Sequence, residues 1–208
     1  MANLNAPAGL SPVGYMNGNP WSGQARLYGI IAGDTNAFYI GDVVKMDATN
    51  FADANGIPYV TRATAGSTVR GVVVGVGTSL PYGYQGSPYV NPNDLTKTYR
   101  PSGAQSVNYY VAVVDDPSVV FEVQEDTTST PGTATQMTKN ANFTAANPAT
   151  GVFISGFTLN SNTYNTTSTL NLKVLQSVQR PDNTPYTAYQ KLLVTLNNHD
   201  FSSGTAGY

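Results

Sequence analysis

The sequence predicts an all-β protein, a β-barrel or jelly-roll-like sandwich with an extended N-terminal arm and long loops. Three observations carry that reading. Short runs dense in β-branched and aromatic residues recur along the chain, with Gly, Pro, Asn and Asp between them. No window sustains apolar residues at helical spacing over three turns. No segment repeats at a fixed period, which sets aside solenoids and propellers.

Residues 1–25 carry Pro7, Pro12 and Pro20 with Gly9, Gly14, Gly18 and Gly23, a composition that cannot hold a helix and breaks a strand. Leu10, Tyr15, Met16 and Trp21 are nevertheless too apolar for an idle linker. The segment reads as an extended arm that docks on a surface. Trp21, the only tryptophan, either docks with it or caps the core of its own subunit.

A β domain is expected over residues 26–200, with a C-terminal tail at 201–208. Arg26–Ile31 is its first strand. The unit Phe38–Val76 follows, with runs at Phe38–Lys45, Pro58–Arg62 and Val69–Val76 around an Asn55-Gly56 turn. Val72-Val73-Val74 is apolar on both faces, so that strand is expected to be covered on both sides. Gly71 and Gly75 inside it mark a bulge or bend, and Gly75 is expected to sit where a Cβ would obstruct close backbone approach.

Residues 78–108 form a long connection rich in Pro and Gly that carries Tyr82, Tyr84, Tyr89 and Tyr99. Disordered segments avoid aromatics, so an ordered, packed loop is expected, on a partner or on the barrel itself. Tyr109–Val114 and Val119–Gln124 bracket Asp115-Asp116-Pro117-Ser118, the pattern of a hairpin. Residues 125–151 read as loop. Further strands are expected at Val152–Leu159, Thr169–Val178 and Lys191–Leu196, in one barrel or two.

Composition narrows the function classes. The 208 residues suffice to bury roughly 70% of the unfolded surface. Charged residues are only 11%, against roughly a quarter in ordinary domains, so the surface is Thr, Asn, Ser, Gln and Tyr and resists association weakly. A net charge of −2 without basic clusters gives no drive towards nucleic acid or anionic membrane. Cysteine is absent, which removes disulfides and thiolate chemistry. Neither a signal-peptide pattern nor an 18-residue apolar run occurs, so synthesis in a cytoplasm without a membrane span is expected.

No constellation commits to catalysis. His199, the single histidine, adjoins Asp200, Ser202 and Ser203, but neighbours on an extended chain point apart and do not build a triad. It reads as a surface or interface residue. Glu122, Glu125 and Asp126 admit an acid–base pair only if the strand continues, and Thr-Thr-Ser-Thr-Pro ends it. No Asp-x-Asp-x-Asp-Gly calcium loop exists, and the glycines of Gly71–Gly77 lack the Lys-Ser/Thr of a phosphate loop. No cofactor or metal is expected.

Gly9-Leu10-Ser11-Pro12-Val13, Asn17-Gly18-Asn19-Pro20-Trp21 and Phe38–Lys45 resemble the start of capsid decoration, or cement, proteins of tailed bacteriophages. Arg70–Gly75, the Tyr110–Val113 and Phe121–Glu125 runs, and the ending Leu192–His199 fit the same pattern in order. The resemblance implies a barrel or jelly roll that clamps neighbouring major capsid proteins from outside the shell, without enzymatic activity, often as a dimer or trimer. It places the protein on the virion surface. The contact residues expected on the arm and tyrosine loop are Leu10, Tyr15, Trp21, Tyr82, Tyr84, Tyr89 and Tyr99. The competing readings are a glycan-binding or host-attachment module, whose Tyr and Trp would stack on sugars, and a hydrolase using the acids.

Overall fold

The computed structural model describes residues 3–77, 98–126 and 130–208. In chain order the strands are β1 (Ser11–Tyr15), β2 (Arg26–Ile30), β3 (Phe38–Tyr39), β4 (Val43–Met46), β5 (Val60–Arg62), β6 (Gly71–Gly77) and β7 (Tyr99–Arg100). They continue as β8 (Tyr109–Val114), β9 (Val119–Gln124), β10 (Asn140–Ala141), β11 (Phe143–Thr144), β12 (Thr158–Leu159), β13 (Leu172–Ser177) and β14 (Lys191–Leu196). Two 3₁₀ turns, Ala134–Gln136 and Ser161–Thr163, are the helical elements among the described residues.

The strands form two five-stranded sheets, β1-β9-β14-β13-β10 and β2-β8-β6-β4-β5, and two short ribbons, β3-β7 and β11-β12. All these pairings are antiparallel. Period-2 alternation sorts the side chains. Val119, Phe121 and Val123 of β9 and Leu192, Val194 and Leu196 of β14 point inward from the first sheet. Val43, Val72 and Val114 meet them from the second, and Phe143 and Phe157 fill the gap (ring centroids 5.1 Å apart). Each such side chain, when fully buried, contributes about 1.5–3 kcal/mol.

The second sheet has a core on its other face as well. Tyr28, Ile30, Val44, Val60, Val73, Val111 and Val113 cluster there with Phe38. The sheet curls around this cluster until its two edges meet at a single parallel bridge, Gly29 with Tyr59. The bridge is held by the Gly29 N–H on the Pro58 carbonyl, 2.9 Å. The whole is therefore a sandwich with one strongly curled sheet and not a closed barrel. Val72 and Val73 each belong to a different core, as the double-sided apolar run predicts.

Several expectations are corrected. β8 and β9 do not form a hairpin: β8 pairs with β2 and β6, while β9 pairs with β1 and β14. Residues 115–118 instead arch from one sheet to the other, because both flanking strands bury apolar residues against different partners. The arm is not separate from the domain. β1 adds to β9, Leu10 is 1% exposed, and the Asn3 side chain is tied to Thr184 and Ala188. The expected strand at Val152–Leu159 shrinks to Thr158–Leu159. Conversely, residues 125–151, read as loop, contain β10 and β11. The C-terminal segment is hydrogen-bonded to the body through Gly207 on Thr166 and Tyr208 on Thr138.

Candidate binding surface

The outward face of the first sheet is built by the same alternation that fills the core. Val120 of β9 and Leu193 of β14 point away from the core. Two bulges, one on each side of this central pair, enlarge the apolar area. In β1 the register jumps from Pro12 to Gly14 opposite Phe121 and Val120, leaving Val13 as the extra residue. In β13 it jumps from Val174 to Gln176 opposite Val194 and Leu193, leaving Leu175. Both extra residues line one groove.

The far wall is a tight turn. The Tyr15 N–H donates to the Asn19 carbonyl (2.8 Å) and the Gly18 N–H to that of Tyr15 (2.9 Å), with Gly18 at φ +88°. This turn sets Met16 and Pro20 beside Val13 along one open groove of about 590 Å³. Met16 is 66% exposed and Val13 42%. A charged ladder runs beside the apolar strip: Arg180 grips Glu122 with two bonds of 2.8 Å, and Asp182 joins Arg180 (3.1 Å) to Lys191 (2.7 Å). Lys191 and Arg180 hold the Asp182 carboxyl down to about 2. An apolar centre with an ionic border is the anatomy of a protein contact.

A second apolar surface lies on the loop before β12. Val152, Phe153 and Ile154 are consecutive and half exposed. Phe153 stacks on Tyr99 (4.8 Å), which stacks on Tyr39 (5.4 Å). The loop is held from the opposite sheet by Arg62, which bonds Asn147 Oδ1 (2.5 Å) and the Ala146 carbonyl (2.6 Å) and lies 4.8 Å over the Phe157 ring.

Compared with protein-family models, with curated proteins and with solved structures, the chain finds no match. The surface must therefore be read from its own geometry.

Of the residues expected at a contact, Tyr15 lines the groove and Tyr99 stands in the aromatic stack. Leu10 is a core residue and is withdrawn from the contact set: a side chain 1% exposed has no free face. Trp21 packs half-buried against the same core, the second of its two readings. Tyr82, Tyr84 and Tyr89 lie outside the described residues. His199 is buried at 3% exposure, not on the surface. Its Nδ1 accepts from the Phe201 N–H (3.0 Å), and burial pushes its pKa down.

The three acids are each engaged separately. Glu122 faces Arg180 outside the sheet, Asp126 accepts from Ser161, and Glu125 is wholly buried. Glu125 accepts from the Tyr164 hydroxyl (2.6 Å), the Gly132 N–H (2.8 Å) and Gln190 Nε2 (2.8 Å). Burial raises its pKa, and that of the partly buried Tyr164 beside it is raised too. Such a saturated carboxylate bolts the β9 end to the 132 and 190 loops. Among the described residues no three His, Asp or Glu converge as a metal site, and no helix is long and apolar enough to cross a membrane.

Sequence reasoning missed Val120, Leu175 and Leu193. The signal was present in Val119-Val120-Phe121 and Leu192-Leu193-Val194, runs apolar on both faces like Val72-Val73-Val74.

Proposed function

We propose that this chain is a non-enzymatic virion structural protein that binds the outside of a tailed-phage capsid and cements neighbouring major capsid proteins. The observation that carries the proposal is the bulge-built apolar groove on the first sheet, bordered by the Glu122–Arg180–Asp182–Lys191 ladder. The outermost strands favour contact by faces. Residues 19–21 fold back on β1, Asn165 bridges β10, and β2 meets the β5 end, so strand addition at these edges is blunted. A surface with few charges and a preformed apolar strip suits a contact repeated over a shell, where many weak copies act multivalently. Self-association as a dimer or trimer belongs to the same proposal.

The test pairs folding with occupancy. Val13→Asp and Met16→Asp place charge on exposed groove residues, so the free protein should melt within a few degrees of wild type. Occupancy on purified heads should fall at least about tenfold, the effect of about 1.4 kcal/mol. Full occupancy by both variants would sink the assignment of this face.

A further inference from the structure

A second concavity, of about 320 Å³, opens where the arm, the start of β2, the 115–118 arch and the C-terminal segment converge. Its volume is at the lower end of small-molecule sites, about 300–1,000 Å³. Unlike the groove it is walled by polar side chains, Gln24, Arg26, Asp115 and Asp116, together with two aromatic ones, Tyr15 and Phe201.

These walls are held before any ligand arrives. Asp115 Oδ2 accepts from the Tyr28 hydroxyl (2.7 Å) and from Arg26 Nη1 (3.3 Å). Asp116 Oδ1 accepts from the Ser118 N–H (2.8 Å) and hydroxyl (2.7 Å), which fixes the carboxylate in the pocket wall. Phe201 is pinned by its N–H on His199 and by the Arg70 guanidinium 4.2 Å from its ring centroid, yet it remains 50% exposed. Arg26 is 68% exposed and uses one N–H on Asp115, so donors remain for a ligand.

The charge pattern selects the ligand class. Two carboxylates repel an anion, and the guanidinium repels a cation. A purely apolar ligand would strip water from all three charges without replacing its hydrogen bonds. A neutral polyhydroxylated ring can meet each wall: its C–H groups pack on the face of an aromatic ring, and its hydroxyls donate to Asp116 and accept from Arg26 and Gln24.

We propose that this pocket is a carbohydrate site for a neutral pyranose unit. It would give the protein a weak, many-copy hold on glycan, independent of the groove. The experiment is a ¹⁵N-edited NMR titration of the full chain with methyl glycosides of glucose, galactose, mannose and N-acetylglucosamine, with sodium sulfate and choline chloride as charged probes. At least one glycoside should shift the amides of Arg26, Asp116 and Phe201. Asp116→Asn, which keeps the acceptor for Ser118, and Phe201→Leu, which keeps apolar bulk, should each weaken it about tenfold or more. Val13→Asp should not change it. The idea is overturned if no glycoside moves these amides, if sulfate or choline moves them more, or if both pocket variants bind as wild type. Head occupancy of the two variants should stay at the wild-type level, so failure here leaves the groove untouched.

Discussion

Gly71 has no room for a side chain. A Cβ built there would fall 2.2 Å from the Val114 carbonyl oxygen and 2.7 Å from Val113 Cγ1, and a neighbouring backbone cannot yield that much. Gly75 follows the bulge between Val73 and Gly75 and pairs with Ala112, where a Cβ would meet the Ala112 Cβ at an ordinary 3.5 Å. Close approach therefore falls at Gly71 and not at Gly75, where the sequence reading placed it. Gly71→Ala should destabilise by upwards of about 3 kcal/mol, and Gly75→Ala by less than about 1 kcal/mol. Urea unfolding of both variants checks the contrast, and equal costs would contradict it. Asp42 supplies a second test at this scale. It is wholly buried, with Arg62 Nε 3.6 Å from Oδ2, an ion pair too long for a hydrogen bond. Burial pushes its pKa up to about 6 from 3.8, against the pull of Arg62. The folded state thus binds the proton more tightly than the unfolded chain. Its stabilising contribution is fully present below pH 3.8 and is lost as pH rises through 6, to the order of 3 kcal/mol. Asp42→Asn should abolish that part of the pH dependence between pH 4 and 6, measured as the difference from wild type in urea unfolding.

At the scale of elements, β1 decides how the N-terminus is to be read. Prolines and glycines argue for an arm, yet Leu10 and the β1 pairing with β9 make the segment part of the main core. Leu10→Ala should cost about 2–5 kcal/mol. Removing residues 1–20 should abolish cooperative melting instead of leaving a folded domain. The emission of Trp21, half-buried on the same core, should shift to the red in Leu10→Ala, and an unchanged spectrum with unchanged stability would restore the free arm. Most strands were legible in the sequence because runs dense in aliphatic, β-branched and aromatic residues, such as Leu192–Leu196 and Tyr109–Val114, are bounded by turn residues. Their partners were not. Asp115-Asp116-Pro117-Ser118 reads alike for a hairpin and for an arch, since only packing of the flanking strands against two sheets separates them. The groove was hidden for a related reason. Val13 and Leu175 reach the outer face through bulges, and a bulge is a register event between two strands that neither sequence run contains alone. Tyr15 and Tyr99 were singled out in the sequence because aromatics in Pro/Gly-rich stretches stand out by composition.

For the whole molecule, the proposed attachment uses sheet faces, in keeping with sparse charge and guarded outer strands. The groove is apolar while its ionic ladder is satisfied within the chain, so attachment to a shell should depend weakly on salt. Occupancy on heads should change less than about threefold between 0.05 and 0.5 M NaCl, a range over which exposed charge pairs are largely screened. A steep fall in sedimentation-based occupancy would move the contact to the charged residues. The most direct test of the central claim is a cryo-electron microscopy map of purified particles that contain the protein. The account predicts density for this sandwich on the outer surface of the head, in many copies, with Val13, Met16, Val120 and Leu193 turned towards the major capsid protein. Density confined to the tail, or a head-bound copy whose first sheet faces solvent across that groove, would contradict it.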